Sequence, residues 1–324
     1  MENKERLVWV DRMRGLAILS VVIQHLTYCY SNDLVYHKLI GISNMAVFFF
    51  ISGYIWEKTA HIDNVAESVN FLVKKTRQLL LPLLVWNIVT PYFFHTDWRL
   101  PTVPTFVEVF TEPHLWFLLT LYGYCFYFVL FKLINKWGGY GIAYWVLSYI
   151  LLFIVWRKFG LFKFETLYFV YFALGTVVAG NKRMEEKVFP NSVVSALSFA
   201  AILLLTNFWV SGQTSVMNVV IKMVVSCSVI VVTYLSCTRL SWNVHFDGFI
   251  RQCGQFSLAI YVMHWIFLHV WTDVDIPQNE LLAFVPVLLY AVIICYACII
   301  LKKIVALSPF MDFVLFGNKL TRHP

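Results

Sequence analysis

Apolar runs long enough to cross a bilayer recur along the chain at about 7–30, 38–56, 78–95, 114–134, 140–156, 162–180, 192–210, 215–236, 255–272 and 281–305. Short polar segments separate them, and an amphipathic stretch over residues 65–81 leads into the third. The pattern predicts an all-α integral membrane protein of about ten transmembrane helices. It predicts one domain over 1–324, with its helical core over about 7–305 and a short tail behind it. An even number of spans puts both termini on one side.

Charge decides which side. Of the 25 basic residues, nineteen lie in the N-terminus, the even-numbered loops and the C-terminus, while the odd-numbered loops hold only Lys38, Arg99, Arg157, Lys158 and Lys163. Lys222 lies inside the eighth run. Basic residues accumulate in cytoplasmic loops, so both termini are expected in the cytoplasm. The segment from Arg157 to Lys163 runs against this trend, which leaves the fifth and sixth spans the least firmly drawn.

Composition agrees with the pattern. The chain is 60% hydrophobic and 13% charged with a mean hydropathy of +0.71, more apolar surface than a soluble fold could bury. The 12 Trp, 17 Tyr and 29 Phe exceed what core packing needs and suit interfacial belts and ring-lined cavities. The net charge of +7 is spread over many short loops, so it reports topology and implies no nucleic-acid partner. The seven cysteines, the Cys295-x-x-Cys298 pair included, fall mostly in apolar runs without ligand-like neighbours and read as small fillers. No cleavable signal and no metal site are expected.

Three ionisable residues stand out in the first run, where Asp11 and Arg14 open it and His25 lies within it. Charge at membrane depth is costly and marks function by default. Eleven helical residues separate Arg14 from His25, about 1100° of rotation, so the two share a face about 16 Å apart along the axis. Asp11 joins that face one turn before Arg14. The ninth run places Tyr261 and His264 on one face in the same way.

The arginine, ten intervening residues and histidine, with Asp11 ahead and Arg14-Gly15-Leu16-Ala17-Ile18 following, resemble the opening of the acyltransferase 3 family of bacterial membrane O-acyltransferases. Four further stretches resemble the family. The Phe-rich run from Asn44 to Tyr54 ends in Ser52-Gly53-Tyr54, where Ser52 and Gly53 permit close helix approach. Lys74 to Pro82 follows the pattern of two basic residues, leucines and a proline, with Lys74 in place of the family's first arginine. That departure substitutes a point charge for a planar fork. His114-Leu115-Trp116-Phe117-Leu118 resembles the sugar O-acetylase branch, and Ser257 with Tyr261-x-x-His264 resembles the late signature.

The resemblance implies an enzyme of the bacterial cytoplasmic (inner) membrane, multi-pass, moving an acyl group. The group implied is acetyl, and it passes from cytoplasmic acyl-CoA to a sugar hydroxyl of a surface polysaccharide or lipid-linked glycan. No permanently bound cofactor is implied; acyl-CoA is the donor substrate. His25 would be general base, with a covalent acyl-histidine as the open variant, and Arg14 would orient the donor. Arg77 and Lys74 would hold the CoA phosphates and Asp11 would fix Arg14. Trp116 would stack a sugar ring, and His114, Tyr261 and His264 would contact the acceptor. Lipid-headgroup anchoring is the competing account of the basic cluster, and belt or helix-packing roles that of the acceptor residues. A multi-helix transporter or glycan exporter and a non-catalytic scaffold remain as rivals, though the chain lacks two related halves. Oligomeric state is left open, as is the choice between acetyl, succinyl or another small acyl group.

The charge asymmetry makes a direct prediction. Cysteines introduced at Lys187 and at Thr102, in a background cleared of exposed native thiols, are labelled from opposite sides of the membrane by an impermeant reagent. Labelling of both from outside would overturn the orientation.

Overall fold

The structure is a computed structural model. It describes residues 7–28, 35–60, 62–94, 115–138, 165–189, 191–210, 215–268 and 280–320, together with Leu147, Tyr149, Ile150 and Ile154. These residues form helices and short connections, with no strand among them. In chain order the α-helices are α1 (Val8–Tyr28), α2 (Val35–Thr59), α3 (Val65–Lys75), α4 (Leu81–Phe94), α5 (Trp116–Gly138) and α6 (Phe169–Gly180). Then follow α7 (Ser192–Leu205), α8 (Val216–Arg239), α9 (Val244–Gln255), α10 (Ser257–Leu268), α11 (Glu280–Val305) and α12 (Pro309–Phe316).

Nine of the ten apolar runs correspond to described helices; the run over 140–156 lies almost wholly outside the described residues. Among the described residues four helices are long and apolar enough to cross a membrane: Tyr36–Thr59, Trp116–Ile134, Val216–Arg239 and Leu282–Val305. Thr166–Gly180, Ser192–Phe208 and Ser257–Leu268 are shorter apolar helices. The ninth run is cut at its start, because Phe256 at φ −101° and ψ 17° breaks the helix between α9 and α10.

The chain divides into two compact units, 1–57 with 170–303 and 58–169 with 304–324. In the first, α1 is packed by α9, α10 and α8. Met13, Ile18, Val21, Val22 and Leu26 are sealed from solvent along it. The approach of α1 to α9 is set by two glycines. A Cβ on Gly15 would meet the Ile250 carbonyl oxygen at 1.9 Å, and one on Gly254 would meet that of Asp11 at 1.9 Å. Gly53 of α2 and Gly175 of α6 form a similar reciprocal pair, where a Cβ on either would meet a main-chain carbonyl oxygen of the other helix at 2.0 Å. The close approach expected at Gly53 is therefore present. Ser226 Oγ donates to the Ile42 carbonyl at 2.9 Å and ties α8 to α2, beside a small cluster of Ile42, Ile221 and Val225.

In the second unit, Asn64 caps α3 by accepting from the Glu67 N–H at 2.9 Å, and Glu67 reaches back to the Asp63 N–H at 2.7 Å. A π-helical turn, Thr76–Leu80, carries α3 into α4. The Leu81 N–H reaches back five residues to the Thr76 carbonyl. Pro82, which has no N–H to give Gln78, follows immediately. The tail expected after the last span contains α12, which docks on α4. Its end signals are local: Ser308 caps it, Pro309 sits in its first turn, and Gly317 ends it in the left-handed conformation at φ 65°. Trp86 Nε1 donates to the Leu315 carbonyl at 2.9 Å and fixes the docking.

Two glycines of α9 should respond oppositely to the same change. Gly254→Ala pushes a methyl into the Asp11 carbonyl and lowers thermal stability in detergent, by about 1–3 kcal/mol if the helices can partly relax. Around Gly248 a Cβ would meet nothing within 4 Å. Gly248→Ala therefore raises stability by about 0.5–1 kcal/mol through helix propensity. Thermal midpoints of the two variants check the sign of each.

Candidate functional site

The site begins on the face of α1 that the packing covers. Asp11 is only 2% exposed, and its Oδ2 accepts from Gln255 Nε2 at 3.4 Å across the α1–α9 contact. Arg14, one turn on, is half-buried, and so is His25 in the last turn. The Gln255 bond joins Asp11 to α9.

At the far end of α1, His25 meets α10. Its ring centroid lies 5.2 Å from that of His264 and 4.6 Å from that of Trp265. His264 is fully buried. Its Nδ1 faces the main-chain carbonyls of Ile260 at 3.0 Å and Tyr261 at 2.8 Å. Carbonyl oxygens only accept, so Nδ1 carries a proton and the neutral ring keeps its lone pair on Nε2. Tyr261 is buried, with its ring centroid 6.2 Å from that of His264. Three residues picked from two distant runs, His25, Tyr261 and His264, are thereby brought together.

Amide and hydroxyl bonds hold the surrounding helices. Asn44 Nδ2 donates to Gln24 Oε1 at 2.5 Å, linking α2 to the residue before His25. Thr27 directs its hydroxyl at the carbonyls of Ile23 and Gln24, 3.0 and 2.9 Å away. Its oxygen also lies in hydrogen-bonding contact with Nδ1 of the buried His37 at 2.7 Å. Neither His37 nor Trp265 was singled out from sequence. Trp265 adjoins His264 and could have been; nothing in its spacing marks His37.

A second unforeseen group lies at the start of α1. Arg12 Nε donates to Asp247 Oδ1 at 2.6 Å, its Nη1 donates to the Cys237 carbonyl at 2.8 Å, and its guanidinium lies 5.0 Å from the Trp242 ring centroid. Arg251 Nη1 approaches Asp247 Oδ2 at 3.7 Å. The clamp fastens α1 to α8 and α9 at the end remote from His25.

Trp116, Arg77 and Lys74 belong to the other unit. Trp116 is half-buried and stacks on Tyr168 with centroids 5.6 Å apart. His114 lies outside the described residues. Arg77 Nε donates to the Gly317 carbonyl at 3.0 Å. Lys74 is exposed at its surface. Burial of its surroundings first, and then the charges of Lys75, Lys319 and Arg77, hold its ammonium below the usual lysine range.

A protein-family model described as an acyltransferase domain matches residues 7–300 of the chain. No curated protein and no solved structure matches it.

The Arg12 clamp sets an acid limit on stability. The hydrogen bond from Arg12 is the chief cause that holds the Asp247 carboxyl below its usual range, against a smaller opposing effect of burial. Because the folded value lies below the unfolded one, the stabilisation is complete above the unfolded pKa and is lost as pH falls through the folded value. Wild type should therefore exceed Asp247→Asn in thermal midpoint at neutral pH. The gap should close below about pH 4.

Proposed function

The chain belongs to the acyltransferase 3 family and is a membrane acyltransferase, and from that premise we propose that it moves an acetyl group from cytoplasmic acyl-CoA to a sugar hydroxyl. The acceptor is a surface polysaccharide or its lipid-linked precursor. The proposed setting is a bacterial inner membrane, crossed about ten times with both termini in the cytoplasm.

The observation that carries the reading is the meeting of His25 with His264 and Trp265 at 5.2 and 4.6 Å between ring centroids. In the proposed step, a neutral His25 takes the proton of the acceptor hydroxyl as its oxygen attacks the thioester carbonyl. The new C–O bond forms, the C–S bond breaks, and the departing thiolate takes the proton from the imidazolium. An imidazole suits both transfers because its ordinary pKa lies near neutrality. His264, a proton donor at Nδ1 toward its own helix, offers Nε2 as acceptor for a substrate hydroxyl. Trp265 covers part of the His25 ring and limits water beside it. Arg14, about 16 Å along the helix, serves the donor and does not touch the reacting atoms. Arg77 and Lys74 take the CoA phosphates. The bond from Arg77 Nε to Gly317 orients the guanidinium for that task, while Trp116 offers a ring face to the sugar.

Mass spectrometry of surface polysaccharide from cells with and without the gene tests the reading: the acetyl mass increment disappears when the gene is removed. His25→Gln should insert and accumulate normally yet lose transfer by about 10²- to 10⁴-fold, since glutamine can bond but cannot take a proton. Arg14→Lys keeps the charge and should still lose much activity, because the planar fork is gone. Full transfer by a well-expressed His25→Gln protein would make the histidine structural.

A further inference from the structure

The π-turn that carries Arg77 and the turn that ends α12 are locked together at the main chain. Gly317 accepts from Arg77 Nε at 3.0 Å and donates its own N–H to the Phe313 carbonyl at 2.8 Å. It needs the left-handed conformation, at φ 65°, and it leaves no room for a side chain: a Cβ there would meet the Arg77 carbonyl oxygen at 1.9 Å. Lys319 follows two residues later and is exposed. The tail therefore delivers a cation to the place where the chain already holds Lys74, Lys75 and Arg77.

Among the described residues nothing acidic pairs with this concentration of charge, and none of the four cations belongs to an ion pair. Asn318, between Gly317 and Lys319, donates to Asp312 at 2.8 Å. Lys75 lies 5.4 Å from the Phe71 ring centroid. Lys74 registers Lys319 electrostatically alongside Lys75 and Arg77. Four like charges gathered by main-chain bonds oppose the docking of α12, and a polyanion would offset that repulsion.

We propose that the C-terminal tail completes a phosphate-binding subsite, in which Lys319 joins Lys74, Lys75 and Arg77 to hold the 3′-phosphate and pyrophosphate of acyl-CoA. This rests on acyl-CoA as donor. The shared chemistry is phosphate, which a lipid headgroup also carries, so the test separates the two sources. Lys319 is a surface residue whose loss leaves the Gly317 lock intact, so Lys319→Gln folds as wild type does.

The experiment measures binding of 3′,5′-ADP to the purified full chain in neutral-lipid nanodiscs, for wild type, Lys319→Gln and the control Lys187→Gln. Lys319→Gln should weaken binding about three- to five-fold at low salt, with the difference shrinking at high salt, and the control should match wild type. KM for acetyl-CoA should rise in parallel, while KM for acetyl-pantetheine, which lacks these phosphates, should not move. Equal 3′,5′-ADP affinity in wild type and Lys319→Gln would overturn the tail's role and leave acyl transfer standing. A Lys319 effect seen only as weaker retention on phosphatidylglycerol vesicles would overturn it in favour of the membrane surface. A Lys319-dependent 3′,5′-ADP site in a chain that transfers no acyl group would uphold the subsite while the transfer reading fell.

Discussion

A helix that carries Asp11, Arg12, Arg14 and His25 cannot face lipid along its length, because each ionised group at membrane depth costs free energy unless protein surrounds it. The structure meets this constraint with main-chain proximity. Gly15 and Gly254 let α1 and α9 approach until a single Cβ on either would overlap a carbonyl oxygen. At that spacing Gln255 reaches Asp11 and Asp247 reaches Arg12. With α1 so fixed at its charged end, its last turn holds His25 against α10. The placement of His25 at one end of the helix thus depends on close packing at the other.

The same principle separates what could be read from sequence and what could not. Helix positions followed from apolar runs, and the shared face of Arg14 and His25 followed from helical rotation. The convergence of His25 with His264 could be anticipated only as membership of one pattern, since no periodicity specifies which of many helices are neighbours. Asp247 was passed over because α9 is amphipathic and too polar to register as a span. Its signals were local: Asn243 at the cap, Asp247 in the first turn, and Ile250 and Cys253 on the buried side. The tail helix was missed for a similar reason, although Ser308, Pro309 and Gly317 bracket it with standard end residues. Both elements are too short for a hydropathy window and legible from capping.

Arg77 shows how a residue noticed for its charge can also carry a structural bond. Its charge suggested phosphate, and the structure adds a bond from Nε to Gly317 that sequence could not supply, since the two are separated by most of the chain. A guanidinium can do both, because one donor anchors the plane and the rest of the fork stays directed. Lysine could not, because an ammonium is a point charge without a planar fork.

The central claim is that His25 works as a titrating base. The most direct measurement is the pH dependence of single-turnover thiol release from acetyl-CoA by the purified chain in the presence of its acceptor. The account predicts a rate in wild type that rises through one ionisation in the imidazole range, about pH 6–7, and a residual rate in His25→Gln that lacks this limb. The same ionisation persisting in His25→Gln would contradict it.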